Sequence, residues 1–286
     1  MDSFISWVGG KKLLRNKILS LFPEKEGFNR YVEVFGGAGW VLFSSDRHAE
    51  TEVYNDMDGR LVNLFRCVKY HPDALQKELE FTLNSREQFF DAREQAEVRG
   101  MTDIQRAARF FVLIKESFGI DLRSFGMRTR DMGRAVDYLA KVSERLRSVV
   151  IEHQDFEKVI KNHDRETTLF YLDPPYYGTE GYYTEKFQEE DHRRLKSLLD
   201  GIKGKFILSY NDCGYIRELY KGYGITEAER AHNLVGGGKQ NQGIRNFWLK
   251  IINTITEYKI FLIWHIRICS SSLYAIYSFD PSKQNS

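Results

Sequence analysis

The run Thr168-Leu169-Phe170-Tyr171-Leu172 is apolar almost throughout and is closed by Asp173-Pro174-Pro175-Tyr176. A strand with no polar alternation suits the interior of a parallel sheet covered by helices on both faces. Two successive prolines lack N–H donors, so the ladder cannot run through them. The strand therefore stops at Asp173 and leaves a carboxylate at its carboxyl end. In open α/β sheets that end borders the ligand crevice.

The rest of the chain fits an α/β sheet. Arg30–Val34 is a short apolar strand ended by the glycines of Phe35-Gly36-Gly37-Ala38-Gly39, and helical character resumes from Ala38 to Ser45. A second strand, Glu52–Asn55, ends at Asp56. Strand, glycine turn, helix and strand open a doubly wound fold. Lys11–Phe22 reads as an amphipathic helix, with Leu14, Ile18, Leu21 and Phe22 on one face.

Residues 58–133 break the alternation. They read as helices at Leu61–Lys69, Pro72–Leu83, Ser85–Glu97 and Ile104–Lys115, followed by the loop FGIDLRSFGMRTRDMG, with no strand before that loop. The pattern then resumes. Helices are expected at Arg134–Arg147, Phe156–Lys161, Glu189–Leu199 and Cys213–Tyr220, and strands at Val149–Glu152 and Lys205–Ser209. The expected organisation is an α/β body from residues 1–57 and 134–252, a helical insertion at 58–133, and an atypical tail at 253–286.

Several residue groups carry chemistry. The Asp173 carboxylate and the carbonyls of the proline strand form a set of acceptors for a planar –NH2 group, and Tyr176 offers a ring on which a base can stack. Taken alone, an Asp-Pro-Pro turn is also a stiff surface turn. The glycines at 36, 37 and 39 allow close backbone approach to a ligand, and Asp56 has the spacing of an acidic residue that meets ribose hydroxyls; taken alone, the glycine turn fits a dinucleotide enzyme equally well, or a tight turn with no ligand. Trp7 and Lys11, in Trp7-Val8-Gly9-Gly10-Lys11-Lys12, either close over a carboxylate-bearing ligand or form a solvated terminus. Asp155 either accepts from a ligand's amino group, with Phe156 stacking beside it, or caps a helix. Arg123, Arg128 and Arg130, with Phe125, suit phosphate and base-edge contacts, or lie in a solvated loop. His192 and Cys213 read as structural or exposed.

Composition narrows the setting. Net charge is +2, which leaves nucleic acid open, because clustering of Lys and Arg matters more than their sum. The three cysteines and seven histidines are scattered, so neither a disulfide framework nor a metal site is expected, and a reducing, cytoplasmic setting follows. The first residues lack a signal-peptide pattern, and the most apolar stretch, IFLIWHIRICSSSLYAIYSF, is broken by His265, Arg267 and three serines. No membrane partner is expected.

Trp-Val-Gly-Gly-Lys, YVEVFGGAGWVLF, VYNDMDGRLVNLFR and LFYLDPPYY, in this order, resemble the Dam-like class of DNA adenine (N6) methyltransferases of bacteria and phages, over residues 1 to about 243. The resemblance implies a Rossmann-like, S-adenosylmethionine-dependent methyltransferase sheet with an inserted helical target-recognition domain, where the 58–133 block lies. It places Trp7, Lys11, Phe35 to Gly39, Asp56 and Asp173 at cofactor-binding positions. It also implies site-specific methylation of the exocyclic N6 of an adenine flipped out of double-stranded DNA, as in restriction–modification systems. Methylation of cytosine or RNA adenine shares this chemistry, and an inactive homologue that binds DNA or cofactor is the non-enzymatic alternative. Oligomeric state and recognition sequence are not legible.

The ending departs from that class, whose members close on a strand resembling Lys-Glu-(Leu/Phe)-Leu-(Ile/Val)-x-Asn-Tyr. Here the chain reads RNFWLKIIN from Arg245 and continues to residue 286. Codons for this run can be chosen as AGG AAT TTT TGG TTA AAA ATT ATT AA. Preceded by A and read one base earlier, they give Lys-Glu-Phe-Leu-Val-Lys-Asn-Tyr and a stop. The hypothesis is a frameshift near Arg245, and sequencing of the gene is expected to show codons compatible with the shifted frame. Codons that cannot be read that way would make the tail a native extension.

Overall fold

The computed structural model describes residues 1–96, 98–127, 131–178, 187–228 and 246–251. The helices are α1 (Arg15–Leu19), α2 (Gly59–Tyr70), α3 (Pro72–Leu79), α4 (Arg86–Gln95), α5 (Asp103–Glu116), α6 (Met132–Leu146), α7 (Phe156–His163), α8 (Glu189–Asp200) and α9 (Gly214–Leu219). The strands are β1 (Arg30–Glu33), β2 (Thr51–Asn55), β3 (Val149–Glu152), β4 (Thr168–Leu172), β5 (Lys205–Asn211), β6 (Ile225–Ala228) and β7 (Asn246–Ile251). They form one sheet in the order β3-β2-β1-β4-β5-β7-β6. The first five are mutually parallel, and β7 runs antiparallel to both β5 and β6. This is the mixed α/β, Rossmann-like architecture the strand pattern predicts. β4 sits at the centre with every residue buried, as its unbroken apolar run requires.

Side-chain alternation along the strands builds two cores. Tyr31, Tyr54, Leu169, Tyr171 and Ile207 face the N-terminal segment and α2, α3, α5 and α6. Val32, Val53, Phe170, Leu172, Phe206 and Leu208 face α7, α8 and α9. The described residues of 58–133 lie on the first side, where Phe65, Phe89, Phe110 and Phe111 share one apolar cluster with Phe4 and Phe43. Among their described residues the only pairing of strand type is a single antiparallel bridge, Ser117 to Phe125.

Helix starts follow capping chemistry. Thr102 and Gln105 form a capping box on α5, and the side chains of Asp58 and Asp131 cap α2 and α6.

Three expected helices are cut short, and one of them, Pro72–Leu83, ends at Leu79. Lys11–Phe22 is helical only from Arg15 to Leu19, and the Lys11 side chain ahead of it is drawn inward to the Gly9 carbonyl and Asp173. Ala38–Ser45 yields one 3-10 turn at Leu42–Ser44. Its backbone groups are taken by distant side chains instead. Leu42 N–H donates to Glu33, while Arg145 donates to the Leu42 and Ser45 carbonyls and His48 Nε2–H to the Val41 carbonyl.

Residues 252–286, which include the tail expected from residue 253, lie outside the described residues. Asn246–Ile251, at the start of the suspected shifted frame, still takes a strand position between β5 and β6.

Candidate active site

Parallel strands carry their carboxyl ends to one edge, so Glu33, Asp56 and Asp173 are delivered there by β1, β2 and β4. Register then sets the neighbours. Leu172 pairs with Leu208, so the next residues, Asp173 and Ser209, stand side by side on the same face. Ser209 Oγ donates a short hydrogen bond to Asp173 Oδ1. The other oxygen, Oδ2, meets Lys11 Nζ at 2.5 Å. Lys11 is 4% exposed, donates to the Gly9 carbonyl at 2.6 Å, and lies 5.0 Å from the centre of the Tyr176 ring. Pro174 is buried and Pro175 half-buried, which sets the backbone that leads to Tyr176.

The glycine loop folds over Tyr54. Gly36 N–H donates to the Asn55 carbonyl (2.7 Å), Tyr54 Oη to the Gly37 carbonyl (2.7 Å) and Gly37 N–H to Asp56 Oδ2 (2.7 Å). A Cβ on Gly36 would lie 2.2 Å from the Tyr54 ring, so internal packing alone requires glycine there. Gly37 and Gly39 hold φ of 50° and 67°, the left-handed region glycine tolerates. With no α-helix starting at this loop, the positive helix terminus that would favour a phosphate is missing.

Asp56 Oδ1 also accepts from Asp58 N–H at 2.8 Å. Burial pushes its carboxyl up to about 6, against the pull of these two backbone donors. Glu33, wholly buried beside it in the row of strand ends, is pushed by burial to about 8.

Trp7 packs edge-on against Phe110 of α5 at 5.7 Å, with its Cδ1 beside Gly37. Contacts thus link Trp7, Gly37 and Asp56 and, separately, Lys11, Asp173 and Tyr176, and the hydrogen bond from Gly10 N–H to the Trp7 carbonyl ties the segment that carries Lys11 to Trp7. Phe35 borders it, packed on Phe156 (5.7 Å) and Phe187 (5.9 Å). For Asp155 the structure favours the capping alternative: Oδ1 accepts from Glu157 N–H on α7, and Oδ2 pairs with Arg194 at 2.7 Å. The Arg194 guanidinium covers the Phe156 ring at 4.3 Å.

Arg123 is exposed in the loop after α5, while Arg128 and Arg130 lie outside the described residues. Phe125, read with these arginines, packs inward instead, against Phe89 at 5.8 Å. Phe118 and Met127 are the exposed apolar residues of this loop. Ile120 and Leu122 hold positive φ, 68° and 57°, in a turn closed by Phe118 N–H to the Ser124 carbonyl and by Asp121 capping two N–H groups. His192 is fully buried, with Nδ1 2.6 Å from the Tyr210 hydroxyl, and Cys213 is half-buried.

Sequence reading missed Ser209, which looks like any strand serine until the β4–β5 register is known. It also missed Phe118 and Met127.

Among the described residues no group of three or more His, Cys, Asp and Glu is placed to hold a metal, and no helix is long and apolar enough to cross a membrane.

A family model described as D12 class N6 adenine-specific DNA methyltransferase matches residues 7–234. The type II methyltransferase M1.LlaDCHI of Lactococcus lactis subsp. cremoris is 30% identical over 251 residues, covering 79% of this chain and 87% of its own. The type II methyltransferase M.CviBI of Paramecium bursaria Chlorella virus NC1A is 25% identical, with 81% and 91% covered. A DNA adenine methylase of Haemophilus influenzae is also 25% identical, with 77% and 82% covered.

Proposed function

The chain belongs to the D12 class of N6 adenine-specific DNA methyltransferases, and from that membership we propose how its residues hold the two reactants. The methyl donor is S-adenosylmethionine, and the acceptor is an adenine flipped out of double-stranded DNA at a short specific site, in the cytoplasm. The observation that carries this reading is the row of carboxylates at the strand ends, with Asp173 held between Lys11 and Ser209.

The residues fit this donor. Asp56 presents a carboxylate suited to ribose hydroxyls, and a loop without a helix terminus suits a nucleoside that carries no phosphate. Trp7, Phe35, Gly36, Gly37 and Gly39 border its site. When bound, the donor supplies an electrophilic methyl group on a positively charged sulfur.

The amino nitrogen of adenine is a weak nucleophile because its lone pair is delocalised into the ring. Asp173 accepts one amino hydrogen and the Pro174 carbonyl the other, which favours a tetrahedral nitrogen. Pro175 holds that carbonyl in place, and Tyr176 supplies a stacking face for the flipped base. These acceptors are fixed before the base arrives, so the rate comes from positioning and preset dipoles. Lys11 pairs with the Asp173 carboxylate at the point of reaction and offers positive charge to a ligand carboxylate.

Residues 58–133 serve as the target-recognition insertion. Arg123, Arg128 and Arg130, in the loop whose sequence also carries Phe118 and Met127, contact phosphates and base edges.

Titration calorimetry tests the donor site. Asp56→Asn is expected to weaken S-adenosylmethionine binding by about 10- to 100-fold, the scale of hydrogen bonds to a charged group. Unchanged affinity would remove Asp56 from that site.

A further inference from the structure

The Asp-Pro-Pro-Tyr segment has a structural problem. Two of its four residues lack an N–H, so its own backbone cannot lace it into the sheet. Yet an acceptor that makes a nitrogen tetrahedral must be held to within a fraction of an ångström. Something else has to fix it.

The carboxyl end of β5 does so. Residues two apart on a strand share a face, so Ser209 and Asn211 both point toward the proline segment while Tyr210 turns to His192 on the other side. Ser209, fully buried, donates to Asp173 Oδ1 just before the prolines. Asn211 Nδ2 donates to the Tyr177 carbonyl at 3.0 Å just after Tyr176. These two side chains bracket the segment.

We propose that Ser209 and Asn211 are positioning residues for methyl transfer, a two-point brace that sets Asp173 and the Pro174 carbonyl in the geometry the adenine amino group requires. The Ser209 bond also divides the work of the carboxylate. Oδ1 is committed to the brace, so Oδ2, now facing Lys11, is the oxygen that accepts the amino hydrogen. Neither side chain touches the reacting atoms. Their effect passes through Asp173 and the backbone. This inference rests on the reading of Asp173 as the amino-group acceptor.

The test uses the full-length protein, S-adenosylmethionine and a duplex containing a methylatable site, with Ser209→Ala, Ser209→Thr, Asn211→Ala and Asp173→Ala compared. Single-turnover rates and dissociation constants for donor and DNA are measured separately, beside the melting temperature. Ser209→Ala and Asn211→Ala are expected to slow methyl transfer by about 10- to 100-fold. Both dissociation constants should stay within about twofold of the parent, the pattern of an interaction realised in the transition state. Ser209→Thr, which keeps the hydroxyl, should restore most of the rate.

Rates equal to the parent in both alanine variants, with Asp173→Ala inactive, would overturn the brace and leave the acceptor reading intact. So would losses that follow the melting temperature, or that appear only as weaker binding. An active Asp173→Ala would instead overturn the acceptor reading itself.

Discussion

Asp173→Asn is expected to lower the rate of methyl transfer by about 10²- to 10³-fold while leaving a folded protein, the scale found when one preset electrostatic contact is removed from an active site. The amide matches the carboxylate in shape, and its oxygen can still face Lys11. It lacks the full negative charge that draws electron density toward the attacking nitrogen, and one of its termini has become a donor. Asp173→Ala should be worse, for a second reason. Lys11 is buried and would lose the partner that sits at 2.5 Å, and stranding a buried charge destabilises by about 3–5 kcal/mol. Comparing the two variants by single-turnover kinetics and urea denaturation separates chemistry from folding. Parental rates in Asp173→Asn would show that the carboxylate charge has no part in the reaction.

The largest purely structural effect is expected at Arg145. Its guanidinium, on α6, meets both oxygens of Glu52 on β2 at 2.8 Å and also donates to the Leu42 and Ser45 carbonyls at 2.9 Å. Glu52 in turn accepts from His48 N–H. These bonds hold residues 41–48 where a helix would otherwise be needed to satisfy the backbone. Arg145→Met should destabilise by about 3–5 kcal/mol, because the Glu52 charge and two carbonyls are left buried without it. Adding Glu52→Gln removes the stranded charge and should recover part of the loss. A denaturation midpoint unchanged in Arg145→Met would mean that residues 41–48 are held by packing alone.

Much of this was legible in the sequence, because it is local. The Thr168–Leu172 run announces a buried strand, the prolines end it, and the order of motifs marks the carboxyl edge of the sheet as the site. Helices α2 to α6 lie where the chain reads as helical. What stayed hidden depends on partners far apart in the chain. Nothing local shows that Lys11 will turn inward to Asp173, or that the first helix will run only from Arg15 to Leu19. The helix expected after the glycine loop gives way to Glu33, His48 and Arg145. Asp155 was ambiguous because a helix cap and an amino-group acceptor need the same residue type. In the insertion loop the sequence pointed to Phe125, but contact with Phe89 pulls that ring inward and leaves Phe118 and Met127 outside.

Product identity tests the central claim most directly. Duplex DNA is incubated with the protein and S-adenosylmethionine labelled in its methyl group, then digested to nucleosides for mass spectrometry. The label is expected in N6-methyldeoxyadenosine, at one short sequence context, and absent when Asp173→Asn replaces the parent over the same interval. Label in N4-methyldeoxycytidine, or no label from the parent protein on any duplex, would contradict it.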